Sequence, residues 1–156
     1  MKTILLLVGK NQNKNFQAGI SDYSERITHY MPFEIKVIPE LKNTRNLNEE
    51  QQKVREGELI LKELQPADTV VLMDEHGKEL RSIELARWLQ GKQNISRRLV
   101  FVIGGPYGFS PDVYARANEQ LSLSKMTFSH QMVRLIMVEQ LYRACTIIKG
   151  EPYHHE

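Results

Sequence analysis

Three short apolar runs, Ile4–Val8, Thr69–Met73 and Leu99–Ile103, constrain this chain more than any other feature. Their hydrophobic residues follow one another instead of alternating with polar ones. A strand of that kind must be covered on both faces, which is the condition of a central strand in a parallel sheet. Each run stops where the chain can turn away: at Gly9, at Asp74, and at the pair Gly104-Gly105. The first run is too short for a signal-peptide core or a membrane span.

The segments between carry a different period. From Asn11 to Tyr30 the residues Phe16, Ile20, Tyr23 and Ile27 fall at helical spacing, with Pro32 beyond them. Phe33–Ile38 alternates and predicts a more exposed strand, stopped by Pro39. Leu41 to Asn48 is polar and irregular, and Glu49 to Leu64 is helical in composition with a solvated polar face. Asp74 to Lys78 reads as a polar turn. Ser82 is the expected cap of a helix to about Trp88, with Glu84 in its first turn. Ser110-Pro111-Asp112 has the order of an N-cap followed by an N1 proline. Leu121–Leu123 is a short strand, and Thr127 to Lys149 is one long helix with a loop at its start, closed by Gly150 and Pro152. Strands and helices alternate throughout. The expectation is an α/β fold, a parallel sheet with helices on both faces, forming a single domain over residues 1–156.

The last helix is apolar around most of its circumference, including Val133, Leu135, Ile136, Val138, Leu141 and Ile148. A sheet covers one side of such a helix, so the other side is read as a subunit interface of a homodimer. Glu139 and Arg143 are spaced as an i, i+4 pair.

Charge and cysteine usage exclude some classes. With 21 basic and 19 acidic residues the net charge is only +2, unlike a non-specific nucleic-acid binder. The lone Cys145 cannot form an internal disulfide and sits in an apolar segment, which reads as a buried, inert thiol in a cytoplasmic protein. No Cys/His group has zinc spacing, so no metal is expected.

Ligands of open parallel sheets bind beyond the carboxyl ends of the strands. Met73-Asp74, Gly104-Gly105-Pro106-Tyr107-Gly108 and Leu123-Ser124-Lys125-Met126-Thr127-Phe128 stand at three such ends. The glycine run matches neither a dinucleotide fingerprint nor a Walker loop. It is either a tight turn or a place where a ligand meets backbone. Residues 123–128 are either an ordinary loop or a backbone-lined pocket with apolar walls, suited to an adenine ring. Pro152-Tyr153-His154-His155 is an unusual aromatic tail: frayed, or anchored so that Tyr153 or His154 handles a proton or stacks on RNA.

In combination, Val102-Ile103-Gly104-Gly105-Pro106, Leu121 through Phe128, His130, Val133-Arg134, Glu139-Gln140-Leu141-Tyr142-Arg143-Ala144 and Pro152-Tyr153-His154 closely resemble the RlmH family. These are bacterial methyltransferases acting on N3 of a pseudouridine in large-subunit ribosomal RNA. The likeness spans essentially the whole chain. It implies a SPOUT fold with a C-terminal trefoil knot, a homodimer packed through the last helices, and S-adenosylmethionine as methyl donor. The donor would be bound by Met73, Gly104, Leu123, Ser124, Lys125, Met126, Thr127 and Phe128. His154 or Tyr153 would orient the uracil edge or accept its proton, with Arg143 beside them as a catalytic candidate, while Arg134 and Arg143 would either contact RNA with Glu139 as their partner or only anchor the dimer. The near-neutral charge points to an assembled ribosome as substrate. Met73 stands where that family commonly has leucine, a volume-conserving exchange. The residue after His154 is His155 where a basic residue is common. Two rivals remain: another α/β enzyme using the glycine turn for nucleotide phosphate, and a non-catalytic ribosome-associated factor.

Overall fold

The three apolar runs lie in β1 (Lys2–Val8), β3 (Thr69–Glu79) and β4 (Arg98–Ile103) of a parallel five-stranded sheet. With β2 (Phe33–Ile38) and β5 (Glu119–Ser122) the order across the sheet is β2-β1-β4-β3-β5. The computed structural model describes residues 1–155, and Glu156, the last residue of the expected domain, lies outside the described residues.

Continuity of the runs is explained by two cores. Leu5, Leu7, Val71, Leu99 and Phe101 face one side of the sheet, under α1 (Lys14–Thr28), α3 (Ser82–Ile95) and α5 (His130–Lys149). Ile4, Leu6, Val70, Leu72, Val100 and Val102 face the other, under α2 (Glu49–Lys62) and α4 (Pro111–Arg116). Each fully buried side chain of this kind contributes about 1.5–3 kcal/mol relative to exposure.

Helix ends follow local chemistry. Asn13 caps α1 by accepting from the Asn15 and Phe16 N–H groups, which places the start at Lys14, with five residues between it and β1, later than expected from periodicity. Asn48 and Gln51 form a reciprocal capping box on α2. Ser110 caps α4 with Pro111 as its first residue. Ser129 caps α5, and Gly150 at φ 71° ends it in the left-handed conformation. At α3 the cap position is Arg81, one residue before the expected Ser82, and the Glu84 carboxylate accepts from the Arg81 N–H at 2.8 Å. That helix also runs to Ile95, well past Trp88.

Two further expectations change. Asp74–Lys78 is not a separate turn: it is an irregularity inside β3, whose register on β5 jumps from Met73 opposite Leu121 to Lys78 opposite the same residue. Gly77 permits this, because a Cβ there would lie 2.7 Å from backbone atoms of Gln120 and Leu121. In addition, α5 is not covered by the sheet alone. It lies between α1 and α3: Leu135 fills the space beside Gly19, Tyr142 packs edge-on to Tyr30, and Gln140 accepts from the Ser82 hydroxyl at 2.8 Å. Part of its apolar circumference therefore has partners within the chain. Cys145 is buried in the same core, and burial pushes its thiol up to about 12. Among the described residues no helix is long and apolar enough to cross a membrane, and no group of three or more His, Cys, Asp or Glu side chains could hold a metal ion.

Candidate functional site

The carboxyl ends of β3 and β4, with the segment after β5, surround a cavity of about 960 Å³. This is near the top of the range for small-molecule and cofactor sites. Of the expected donor residues, Met73, Gly104, Leu123, Ser124, Met126, Thr127 and Phe128 line it. Lys125 does not: its side chain is exposed, with the ammonium 3.9 Å from the Glu79 carboxylate. The 123–128 loop is shaped by hydroxyls. Ser122 Oγ donates to the Ser124 carbonyl and Ser124 Oγ accepts from the Met126 N–H, both at 2.9 Å. These bonds hold Met126 outward, 76% exposed, on the cavity wall. A large thioether left so open in a cavity lining is a surface awaiting an apolar contact.

The glycine turn after β4 is built by packing. A Cβ on Gly104 would meet the Phe109 ring at 2.8 Å, and one on Gly105 would meet the Glu56 carboxylate at 2.4 Å. Glu56 Oε1 accepts from the Gly105 N–H at 2.8 Å. Burial raises the Glu56 carboxyl above the ordinary carboxylate range, and the Gly105 N–H opposes that rise. Sequence reading assigned the polar face of α2 to solvent and missed this residue. The signal was faint: Gly57 beside it, where a Cβ would lie 2.4 Å from Ser110 Oγ, allows α2 to approach α4.

An acidic wing completes the wall: Asp74 was expected at this strand end, whereas Glu75 read as part of a turn and Glu49 as part of a solvated helix. Glu49, Asp74 and Glu75 line the cavity, with Lys53 among them. The Asp74 carboxylate is nearly buried and accepts from the His76 N–H at 2.9 Å and from the Tyr114 hydroxyl. Burial first, and Asp74 second, push the Tyr114 phenol up to about 12.

Arg134 is fully buried and is not paired with Glu139. Its guanidinium donates to the Val8 carbonyl at 2.6 Å and to Asn11 Oδ1 at 2.9 Å, and lies 3.4 Å from His130 Nε2. It fixes the exit of β1 to the start of α5, which is a different task from an RNA contact. His130 lines the cavity, and burial, then the charge of Arg134, lower its pKa.

Arg143, Tyr153 and His154 come together, but away from the cavity. Arg143 donates to Glu139 Oε1 at 3.1 and 2.6 Å, and the Tyr153 hydroxyl donates to the same oxygen at 3.1 Å. The Arg143 guanidinium stacks over the Tyr153 ring at 4.7 Å and faces His154 Nδ1 at 3.2 Å. Arginine can only donate, so Nδ1 accepts and the ring proton belongs on Nε2. That Nε2 is buried without a partner among the described residues. The tail is thus anchored by charge and stacking. Arg143 lies thirteen residues beyond His130 on α5, which is about 20 Å along the helix axis at ~1.5 Å per residue.

Comparison with known proteins agrees with this geometry. The family model described as "Predicted SPOUT methyltransferase" matches residues 1–154. Proteins named "Ribosomal RNA large subunit methyltransferase H" from Bacteroides fragilis and Phocaeicola vulgatus are each 61% identical, over 100% of both chains. The protein of the same name from Flavobacterium johnsoniae is 51% identical over the same extent. The parallel sheet, the cavity at its carboxyl edge and these full-length matches lead to one conclusion: the chain belongs to the SPOUT methyltransferase family.

Proposed function

We propose that this protein methylates N3 of a pseudouridine in large-subunit ribosomal RNA, using S-adenosylmethionine, on assembled ribosomes and as a cytoplasmic homodimer. The observation that carries this reading is the cavity at the ends of β3 and β4, built from the residues that the family resemblance selects for the donor. The trefoil knot belongs to the same reading.

The residues present fit that donor. Met73, Leu123, Met126 and Phe128 offer apolar contact for an adenine and a methylsulfonium, and the carboxylates of Glu49, Asp74 and Glu75 favour a cation. The same features count against a nucleotide polyphosphate. The Gly105 N–H, which a phosphate loop would present, is already taken by the Glu56 carboxylate. When bound, the donor supplies an already activated methyl group, so the protein's work is alignment, and the proton displaced from N3 passes to solvent water.

For that work we assign the tail. A reach of about 20 Å separates Arg143 from the cavity end of its own helix, so the tail of one subunit serves the cavity of its partner. The exposed Met132 and half-buried Ile136 on α5 supply apolar surface for that dimer. Met73 and Leu123 also border a second, smaller cavity of about 290 Å³ against Ile136 and Gln140, open to the same approach. His154 Nε2–H is a donor without a partner among the described residues; it is buried in the single chain, so it reaches a uracil carbonyl only when the tail opens on the partner's cavity. Tyr153 is a poor base: burial, then Tyr23 and Glu139, raise its phenol pKa, and it already donates to Glu139. Arg143 sets the tautomer of His154 and stacks on Tyr153.

Transfer of labelled methyl from S-adenosylmethionine to unmethylated bacterial ribosomes, followed by mapping of the modified base, tests the reading. Label at N3 of a large-subunit pseudouridine is expected. Absence of transfer together with absence of donor binding by calorimetry would overturn it.

A further inference from the structure

We propose that Glu56 is a positioning residue that fixes the Gly104-Gly105 backbone and so shapes the donor-facing wall of the cavity. This rests on the reading of that cavity as the donor site. The ladder between β1 and β4 ends at Ile103, so the next two residues leave the sheet and need other anchors. Gly105 has two. Its carbonyl accepts from the Gly108 N–H at 3.3 Å, closing the turn, and its own N–H donates to Glu56 Oε1 at 2.8 Å. The carboxylate also occupies the volume of a residue-105 side chain, with its oxygens 2.4 and 2.6 Å from the position of a Cβ. A side chain at position 105 and Glu56 in its present place exclude each other.

The same helix holds the far end of the loop. Gly57, next in sequence, lets Ser110 and Val113 pack directly on α2, with Ser110 Oγ 2.4 Å from the position of a Gly57 Cβ. Two adjacent residues of α2 therefore clamp both ends of the segment 104–110, which lines the cavity along most of its length. A loop with three glycines would otherwise sample many backbone conformations. A charge-assisted bond from a half-buried carboxylate is among the stronger single restraints available. Glu56 does not line the cavity, so its effect on a ligand is transmitted through the Gly105 backbone.

Full-length Glu56→Ala, Glu56→Gln and Gly105→Ala test this. Amide hydrogen exchange of Gly105 without donor, donor affinity by calorimetry, and turnover on ribosomes are the readouts. Glu56→Ala is expected to speed Gly105 exchange and to weaken donor binding about tenfold, equivalent to ~1.4 kcal/mol, while turnover at saturating donor stays within about twofold. Glu56→Gln keeps a neutral acceptor oxygen and recovers a substantial part of both. Gly105→Ala displaces the carboxylate and reproduces the weakened donor binding, which keeps the test valid if Glu56→Ala folds poorly. Unchanged Gly105 exchange in Glu56→Ala, or a Gln variant as defective as Ala, overturns the positioning role and leaves the donor site standing. Wild-type protein that binds no donor overturns the donor reading and this inference with it.

Discussion

Gly77→Ala isolates the most demanding backbone contact in the molecule. Gly77 lies in the irregular stretch of β3, just before Lys78 and Glu79 pair with Leu121 and Ser122. A methyl there would sit 2.7 Å from the carbonyl carbons of Gln120 and Leu121 and from the Leu121 nitrogen. Carbon contacts are comfortable near 3.5–4.0 Å, so the methyl needs about 1 Å of room. The obstacle is backbone, which has no alternative rotamer. Overpacking of this kind costs about 1–3 kcal/mol, and a rigid neighbour places it in the upper half. Restricting the unfolded chain returns about 0.4–1 kcal/mol. The net is a destabilisation of roughly 1–2.5 kcal/mol, or about 3–8 °C in melting temperature for a chain of this size. Donor affinity should fall as well, because the displaced β5 leads directly into Leu123 on the cavity wall. Calorimetric melting checks the first effect and donor titration the second. Gly91→Ala is the matched control: it lies inside α3, where no atom comes within 4 Å of an added Cβ. It should stabilise by about 0.5–1 kcal/mol through helix propensity. A Gly77→Ala protein that melts with or above the wild type would refute the reasoning, because the β3–β5 contact would then be free to open.

The tail and the half-buried His130 give further tests. His154→Ala should lower turnover on ribosomes far more than it lowers donor affinity, and unchanged turnover would end the role proposed for that ring. The His130 pKa is depressed in the folded state by burial and by Arg134, so the unfolded chain binds the proton more readily. Its contribution to stability is therefore complete above the unfolded value, about 6.5, and is lost as pH falls through the lower folded value. Melting curves between about pH 7.5 and 5 should steepen this loss in the wild type relative to His130→Gln. Parallel curves would show that His130 is not the group responsible.

How much of this was legible in the sequence depends on which physical signal each feature leaves. The paired cores were readable because Ile4–Val8 and Leu99–Ile103 must hide both faces, and their shortness together with the helical segments between them favours covered parallel strands. The caps at Ser110 and Gly150 were readable because side-chain oxygens and left-handed glycine act within a few residues. The extension of β3 to Glu79 was not. Its residues Asp74-Glu75-His76-Gly77-Lys78 are polar and carry turn composition, and what returns them to the sheet is contact with β5 some forty residues later. The start of α1 was misjudged for a related reason: periodicity locates Phe16 and Ile20 but says little about which asparagine closes the end.

The site divides along the same line. Resemblance named most of the residues that line the cavity, because ligand-facing positions carry motifs. It also named Lys125 and the tail residues, which do not line it, and it left out Glu56 and misassigned Arg134, which act from behind. Glu56 looks like any solvated glutamate in a charged helix until the fold brings Gly105 to it across the α2 side of the sheet. Arg134 looks like an RNA contact until it is seen buried against the Val8 carbonyl. Both cases have one cause. A cavity at the carboxyl edge of a parallel sheet is walled by loops, loops leave the hydrogen-bond ladder, and each exposed N–H or carbonyl must then find a side chain from elsewhere in the chain. Those supporting side chains are distant in sequence by construction, so their identity is fixed by topology and not by local pattern. The tail makes the point at larger scale. Glu139, Arg143, Tyr153 and His154 satisfy one another almost completely, and within that cluster His154 Nε2 is the polar atom left over, as Arg98 Nε and Arg134 Nε are elsewhere among the described residues.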